Sequence, residues 1–393
     1  MRCEVRAFRC GCMGMVIVLA GTVVAGAAEP RLRFERQRIG DVIYETACAF
    51  DVDKDGAIDI VSGEFWFRGP TFEQRHRICE LKRVDDYYDN FSDYPLDVNG
   101  DGYLDLITGG WWGKTLQWRE NPKGEPIPWK THAIDECGSV ETTRFWDVDG
   151  DGHVEAVPNA GGNVVFYKLI RDAQGKGTGR FSRHEVKMGD CGHGLGFGDV
   201  NGDGRGDFIV PEGWIEAPED RINGKWTFHP DFHLGSASIP IPVHDVNADG
   251  LADLIVGMGH DYGLFWYEQR RDNAGERSWV KHVIDADRSQ YHDLVLDDID
   301  KDGQVELITG KRYRAHAFSD PGSLDPVGLY YFKIDGGKFR RITLDYGPAA
   351  TSSGAGIYLW VADIDGNGWK DIIAPGKEGV YLFRNMGPIE ADQ

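Results

Sequence analysis

A nine-residue acidic segment recurs seven times between Asp51 and Asp371, and it constrains the fold more than any other feature of the chain. Its pattern is Asp-x-Asp/Asn-x-Asp/Asn-Gly-x-x-Asp/Glu, and no copy lacks a position. Alternate oxygen-bearing side chains on a tight turn can point inward, where they suit a hard cation such as Ca²⁺. The glycine at the sixth position permits the sharp turn. We therefore predict up to seven structural calcium sites, with the following ligands: Asp51, Asp53, Asp55, Asp59, Asp97, Asn99, Asp101, Asp105, Asp147, Asp149, Asp151, Glu155, Asp199, Asn201, Asp203, Asp207, Asp245, Asn247, Asp249, Asp253, Asp298, Asp300, Asp302, Glu306, Asp363, Asp365, Asn367 and Asp371.

Short strand-like segments flank each acidic loop. An alternating run such as Glu45–Phe50 precedes the loop, and an apolar run such as Ile58–Ser62 follows it. A third run resembles Val380–Phe383, and a fourth has an aromatic-x-x-basic-x-Ile pattern, as in Trp129–Ile134. Successive loops begin 46 to 65 residues apart. Four strands per repeat at this period are typical of propeller blades, so we predict an all-β, seven-bladed β-propeller.

The fourth-strand pattern also predicts how the ring closes. One copy, Phe34–Ile39, precedes the first loop, and none follows the last loop before the chain ends. We therefore expect the N-terminal strand to complete the last blade, since a closed ring leaves no strand edge open. Residues 29–393 are predicted to form this single domain.

Residues 1–28 have the order of a secretory signal peptide, with basic residues, an apolar run (Met13–Val24) and small residues in sequence. The apolar run is shorter than the roughly 20 residues a membrane-spanning helix needs. We expect a secreted or periplasmic protein without a membrane span. Four cysteines remain after cleavage and allow three pairings, of which Cys137–Cys191 is one candidate.

The formal charge is −21, from 64 acidic and 43 basic residues. This balance excludes a nucleic-acid partner bound by phosphate neutralisation. Many of the acidic residues belong to the seven loops. We therefore attribute the excess of acidic over basic residues to the predicted cation sites.

The loops resemble the FG-GAP/VCBS propeller repeats, the type also found in integrin α-subunit heads. The resemblance covers Arg31 to about Asn385 and implies the fold and the calcium, but not the function, because one fold hosts many functions. In this family the calcium loop joins the innermost strand to the second strand on one face of the disc. The opposite face then surrounds the mouth of the central channel.

Positions near that mouth lie about six residues before each loop. Turns after the second strands add further groups there, including Trp111, Trp112, Lys311 and Arg312. A concave mixture of aromatic and polar groups suits a sugar ligand. The residues found by counting back are Glu45, Phe91, Glu141, His193, Ile239, His292 and Ile357.

Three histidines are candidates for a second metal. His193 and His292 share one offset in two blades, and His260 belongs to the turn of the blade between them. Three converging imidazoles can hold Zn²⁺ with an open fourth position. Glu212 or Asp261 could orient a ligand or act as a base. The alternative is that these groups only line a polar channel.

Residues 192–207, 244–269 and 292–316 resemble the propeller domain of the fungal aldos-2-ulose dehydratases. That family eliminates water from a keto-sugar in a propeller that carries zinc. The resemblance implies that His193, His260 and His292 are metal ligands or bases. The chain lacks the cupin domains that accompany the propeller in that family, so the isomerase step is not implied.

These features favour a carbohydrate-active lyase or dehydratase that acts by metal-assisted β-elimination on a keto-sugar or a uronic-acid glycan. Lys311 and Arg312 would stabilise the enolate or neutralise a uronate. The alternative is a non-catalytic propeller that binds glycans or proteins.

Overall fold

The computed structural model describes residues 31–187 and 192–389. Seven four-stranded antiparallel sheets form a seven-bladed β-propeller, as predicted. The signal peptide and Cys191 lie outside the described residues, so export and the Cys137–Cys191 pairing stay predictions. Within the described ranges, no helix has the length and apolarity needed to cross a bilayer.

The strands are numbered in chain order, and blades are numbered by the acidic loop they contain. Blade seven takes its outermost strand from the N-terminus, and a small hairpin follows blade one. The bounds are β1 Leu32–Gly40; β2 Cys48–Phe50, β3 Asp59–Ser62, β4 Phe65–Arg68 and β5 Gln74–Arg77 in blade one; β6 Arg83–Val84 and β7 Tyr87–Tyr88 in the hairpin; β8 Tyr94–Leu96, β9 Asp105–Gly109, β10 Leu116–Glu120 and β11 Lys130–Asp135 in blade two; β12 Thr142–Trp146, β13 Glu155–Asn159, β14 Val164–Arg171 and β15 Gly177–Val186 in blade three; β16 Gly196–Gly198, β17 Asp207–Val210, β18 Gly213–Glu216 and β19 Thr227–His229 in blade four; β20 Val243–His244, β21 Asp253–Gly257, β22 Tyr262–Arg271 and β23 Arg277–Ser289 in blade five; β24 Tyr291–Asp297, β25 Glu306–Lys311, β26 Val327–Asp335 and β27 Lys338–Gly347 in blade six; and β28 Trp360–Ala362, β29 Asp371–Gly376 and β30 Gly379–Pro388 in blade seven. A short 3-10 turn spans Ala315–Phe318.

The two ends of the chain meet in blade seven. Strand β1 pairs antiparallel with β30, with Arg36 opposite Phe383. Blades one and seven also touch near the centre, where the backbone N–H of Ala47 donates to the carbonyl of Tyr358 at 3.2 Å. The pairing of β1 with β30 is the arrangement that the predicted ring closure requires.

The core lies between neighbouring blades. Each sheet packs on both faces, so the second strands are buried along their whole length, as in β9 and β21. This two-sided burial explains why their sequences are continuous apolar runs and do not alternate. Burying one aliphatic side chain of this kind contributes about 1.5–3 kcal/mol.

Each acidic loop is tied to its blade by its ninth residue. In blade two, one oxygen of Asp105 accepts the N–H of Val98 and the other accepts the N–H of Asn121, both at 2.9 Å. The first contact closes the loop, and the second fixes it to the chain after the third strand. The same pair of bonds recurs around Asp253 in blade five.

A buried ion pair crosses the central channel between blades three and six. Arg144 in blade three donates to Asp293 of blade six at 2.8 Å. The same nitrogen also donates to the carbonyls of Ile239 and Ile357, at 2.6 and 3.1 Å. These contacts join the innermost parts of four blades and form a floor beneath the channel mouth.

Candidate metal centre and aromatic cavity

Three histidines and one glutamate converge at the mouth of the channel. They are Glu141, His193, His260 and His292, and one ligand atom from each lies within 4.8 Å of the others. His292 is in β24, and the others lie in loops of blades three, four and five. The structure therefore brings together all three of the predicted histidines.

The ligand atoms are close to one another. The Nε2 atoms of His193 and His260 are 3.1 Å apart. Oε1 of Glu141 lies 3.2 Å from Nε2 of His292 and 3.6 Å from Nε2 of His193. Zinc binds imidazole nitrogen and carboxylate oxygen at about 2.0–2.2 Å, so these separations allow the four atoms to share one ion.

The outer ring nitrogens fix which atoms face the centre. Nδ1 of His193 donates to the carbonyl of Ala237, and Nδ1 of His260 donates to the carboxylate of Asp320, both at 2.7 Å. Both acceptors can only accept, so each neutral ring turns the lone pair of Nε2 inward. Two lone pairs at 3.1 Å repel each other unless a cation or a shared proton lies between them. The arrangement is the support that metal-binding histidines normally have.

The protonation of the cluster follows from its burial. Burial lowers the pKa of His260 to about 4, and the charge of Arg312 adds to the effect. Burial likewise lowers the pKa of His292 to about 3. Burial opposes the charge on His193, but the carboxylate of Glu141 outweighs it and raises the pKa of that ring. Two of the three imidazoles are therefore neutral at pH 7 and available as ligands.

A second histidine–carboxylate contact extends the cluster. Asp320 binds His260 with one oxygen and Nδ1 of His316 with the other, at 2.7 and 2.8 Å. The rings of His260 and His316 stack with their centroids 4.3 Å apart. His316 has the left-handed values φ 45° and ψ 46°, which cost free energy in a residue other than glycine. The fold holds His316 in an unfavourable backbone conformation beside the histidine cluster.

An aromatic cavity of about 290 Å³ opens next to the cluster. Glu141, Arg312 and His316 line it. The exposed side chain of Trp111 retains 41% of its accessible surface. The remaining wall residues are the aromatic side chains Tyr87, Phe91 and Trp112.

The two predicted cations of this site are both buried, but only Arg312 lines the cavity. Arg312 lies in the cavity wall and forms a double hydrogen bond with Glu45, at 2.7 and 3.1 Å. Burial opposes its charge, but Glu45 outweighs this effect and raises the pKa of Arg312. Lys311 is buried, and its ammonium donates to the carbonyl of Arg312 at 3.0 Å. Burial lowers the pKa of Lys311 to about 8.

Glu212 is not in the cluster. Its side chain is 62% exposed and accepts a hydrogen bond from His233 at 2.7 Å. The carboxylate that meets the histidines is Glu141, which the sequence placed at the mouth but did not mark as a ligand. Asp320 was not identified at all, because it lies in an irregular segment outside the repeat pattern. The available signal was that two of the mouth positions, Glu45 and Glu141, are acidic, but the sequence does not show which of them meets the histidines.

The acidic loops fall into two groups. Loops one, three and six have four carboxylates, and a basic residue of the third strand lies among them. Arg68 is 2.9 Å from both Asp53 and Asp55 in loop one. The corresponding residues are Lys168, which contacts Asp149, Asp151 and Glu155, and Lys333, which contacts Asp300 and Asp302.

The other four loops replace one carboxylate by asparagine. In these four blades, the third-strand position that corresponds to Arg68, Lys168 and Lys333 lies opposite the ninth residue of the loop. The residues at this position are Glu120, Glu216, Glu268 and Arg384. Within the described residues, none of these four side chains forms an ion pair with its loop. The donor set of oxygens suits Ca²⁺ in all seven loops, but in three of them a third-strand cation already contacts two or more of the acids.

Residues 245–309, which include loops five and six, match the model of the FG-GAP-like repeat family. No curated protein matches the chain. Among solved structures, an Agrocybe aegerita lectin that recognises non-reducing terminal N-acetylglucosamine is 18% identical, with a TM-score of 0.45 over 80% of this chain and 81% of the lectin. An auxiliary nutrient binding protein from Bacteroides ovatus is 10% identical, with a TM-score of 0.45 over 84% of each chain. The Tc holotoxin pore of Photorhabdus luminescens is 14% identical, with a TM-score of 0.36 over 90% of this chain and 16% of the toxin chain.

Proposed function

We propose that this propeller with an FG-GAP-like repeat is a carbohydrate-active lyase or dehydratase that works at the channel mouth by metal-assisted β-elimination. One observation carries the proposal. Three imidazole Nε2 atoms and the carboxylate of Glu141 converge beside a cavity lined by aromatic side chains. The proposal agrees with the resemblance to the aldos-2-ulose dehydratases, which rests on short sequence segments.

The donor set favours zinc over calcium. Imidazole nitrogens are poor ligands for Ca²⁺, whereas zinc accepts three histidines and a carboxylate. When bound, the ion would supply a Lewis acid for a carbonyl or carboxylate oxygen next to the carbon that loses its proton.

The side chains of the cavity would position the substrate. The faces of Trp111, Trp112 and Tyr87 offer flat apolar surfaces for the C–H groups of a sugar ring. Arg312 supplies a fixed positive charge at the same wall, where it would stabilise the negative charge of an enolate or a uronate. Its ion pair with Glu45 keeps the guanidinium from turning towards solvent.

Proton transfer would fall to His316. Nδ1 of this ring is bound to Asp320, which leaves Nε2 as the nitrogen available for a proton in the cavity. General acid–base catalysis by a positioned histidine contributes about 10²–10⁴-fold in rate. Lys311 is assigned a structural role in this proposal, since its ammonium is bound to a backbone carbonyl.

Metal analysis of the purified protein tests the proposal. We expect about one zinc ion for each chain in addition to calcium. His193→Ala and His292→Ala should release the zinc while the propeller stays folded. His282→Ala is the matched control, because this histidine stacks on Trp266 far from the channel and should leave the zinc in place.

Activity is measured with keto-sugars and uronic-acid polysaccharides. Elimination creates a conjugated double bond, which adds absorbance in the near ultraviolet. The two metal-site variants should lose this activity by orders of magnitude. A zinc-free protein that remains active, or an unchanged rate in His292→Ala, would refute the enzyme proposal.

A glycan-binding module without catalysis is the second candidate. The exposed face of Trp111 beside the cavity favours it. Binding of a glycan without product, without zinc and without any effect of the histidine substitutions would establish this function in place of the first.

We further propose that calcium binds most tightly to loops two, four, five and seven. Among the described residues, no third-strand cation lies among the carboxylates of these loops, and the other cations there, Lys123 at 3.8 Å from Asp101 in loop two and Arg205 beside Asp203 in loop four, each contact a single acid. In loops one, three and six, the ion would have to displace Arg68, Lys168 or Lys333.

A further inference from the structure

A second cavity, of about 480 Å³, lies between blades one and two. Its wall includes the basic residues Arg77, Lys82 and Arg119 and the acidic residues Glu80 and Asp89. The size is within the range of about 300–1,000 Å³ that is usual for small-molecule sites. The cavity is separate from the metal centre, none of whose ligands lines it.

Arg119 occupies a position that the other blades fill with uncharged aromatic or aliphatic residues. In each blade, the residue directly after the ninth position of the loop lies in the second strand. A buried residue of the third strand pairs with it. In blade two this residue is Arg119, opposite Leu106. In the other six blades it is Phe67, Tyr167, Ile215, Tyr267, Phe332 or Phe383, all of them buried.

Arg119 is also the buried arginine without a carboxylate partner. It is 2% exposed. Two other buried arginines, Arg144 and Arg312, have carboxylates at 2.8 and 2.7 Å. Within the described residues Arg119 has no ion pair, and its Nε has no hydrogen-bond partner. Its guanidinium forms one long hydrogen bond of 3.4 Å to Asn90.

The neighbouring charges do not replace the missing partner. Asp93 is buried nearby, and the charge of Arg119 opposes the rise in pKa that burial gives this carboxyl group, but its side-chain hydrogen bonds come from Thr46 and Asn90 and none comes from Arg119. Asp89 likewise accepts the backbone N–H groups of Trp112 and Gly113, at 3.0 and 2.7 Å. A buried charge without a partner is costly, and the architecture offers an apolar alternative at this position.

We propose that the cavity between blades one and two binds a sugar that carries a carboxylate, with the carboxylate held by Arg119. The planar guanidinium can form paired hydrogen bonds with a carboxylate. Leu81, Pro128 and Trp129 in the same wall provide an apolar surface for the sugar ring. A bound carboxylate would complete the ion pair that the protein itself does not supply. This site does not depend on the function proposed for the channel mouth.

One turn borders both cavities. The turn after β9 contributes Trp111 and Trp112 to the channel cavity and Gly113 and Thr115 to the interblade cavity. A glycan that contains a uronate unit could therefore contact both cavities. One sugar unit would lie in each cavity, and the turn after β9 would lie between them.

Calorimetric titration with D-glucuronate tests the site. We expect the wild type to bind glucuronate more tightly than D-glucose or acetate. Arg119→Leu copies the apolar residue of the other blades and should lower the affinity about tenfold or more, since it removes charge-assisted hydrogen bonds. The same variant should melt at a higher temperature than the wild type, because an unpaired buried charge is removed. Arg119→Lys keeps the charge and should bind glucuronate with intermediate affinity.

The titrations are repeated with His292→Ala as the background, so that uronate bound at the channel mouth is distinguished from uronate bound here. The loss caused by Arg119→Leu should be the same in both backgrounds. Unchanged glucuronate binding in Arg119→Leu would overturn the proposal. So would an Arg119→Leu protein that melts lower or does not fold, since Arg119 would then be a structural residue paired through Asn90 and Asp93. Equal affinity for acetate would overturn the assignment to a sugar.

Discussion

Replacing Lys333 by methionine tests whether basic side chains take the place of calcium in three of the loops. Lys333 lies in β26, and its ammonium contacts Asp300 and lies 3.0 Å from Asp302. Methionine keeps most of the length of the side chain but removes the charge. Loop six then has four carboxylates and no cation unless Ca²⁺ binds.

The magnitude follows from the position of the ion pair. The side chain of Lys333 is 13% exposed, and Asp300 is 9% exposed, so the pair is neither fully buried nor at the open surface. Exposed pairs contribute about 0–1 kcal/mol, whereas loss of one partner from a buried pair costs about 3–5 kcal/mol. We expect the calcium-free Lys333→Met protein to lose about 2–4 kcal/mol. At roughly 2 °C for each kcal/mol in a chain of this size, its melting temperature should fall by about 4–8 °C.

The assay is a pair of melting curves, in chelator and in excess calcium, combined with calcium analysis after dialysis. In calcium the variant should regain the stability of the wild type, because one Ca²⁺ replaces the ammonium. The number of bound ions should rise by one. Lys130→Met is the matched control, since Lys130 is exposed and has no ion pair among the described residues.

An unchanged melting temperature in chelator, together with an unchanged calcium count, would refute the reasoning. It would mean that the ammonium of Lys333 does not stabilise the loop.

Two further predictions concern pH and ring closure. Burial raises the pKa of the ninth-position carboxylates, to about 7 for Asp105 and Asp253, so their stabilising contribution is complete below pH 4 and is lost as the pH rises through 7. The calcium-free protein should therefore melt higher at pH 5 than at pH 8, since burial raises the pKa of all seven ninth-position carboxyl groups to about 6 or 7. The lowered pKa values of four histidines act in the opposite direction on fewer groups, those of His184, His244, His260 and His292. A higher melting temperature at pH 8 in chelator would contradict this. Deleting residues 31–40 should cause aggregation or early melting by exposing the edge of β30, and a soluble monomer with wild-type melting would contradict that expectation.

The repeats made the fold predictable because their signals are local. The glycine of each loop, the apolar run after it and the aromatic-x-x-basic pattern each act within about ten residues. The seven copies then fix the number of blades. The predicted fourth-strand segments correspond to observed strands, as Trp129–Ile134 does to β11 and Phe34–Ile39 does to β1.

The candidate site was predictable only in part. Counting back from the loops located His193 and His292, because the offset from the loop is the same in each blade. Glu141 was found by the same count but received no role, since the sequence does not show which blade faces which across the channel. Glu212 was expected at the site from its turn, and the structure places it at the surface beside His233.

The sequence alone determined the number of blades, the position of the acidic loops and the three histidines at the mouth, because a periodic sequence repeats the same local geometry. The tertiary structure decided which side chains of different blades meet. It placed Glu141 among the histidines, Asp320 between His260 and His316, and Arg119 in an interblade cavity where, among the described residues, no carboxylate forms an ion pair with it. These contacts join residues far apart in the chain, and their geometry depends on how the blades pack around the axis, which no local pattern contains.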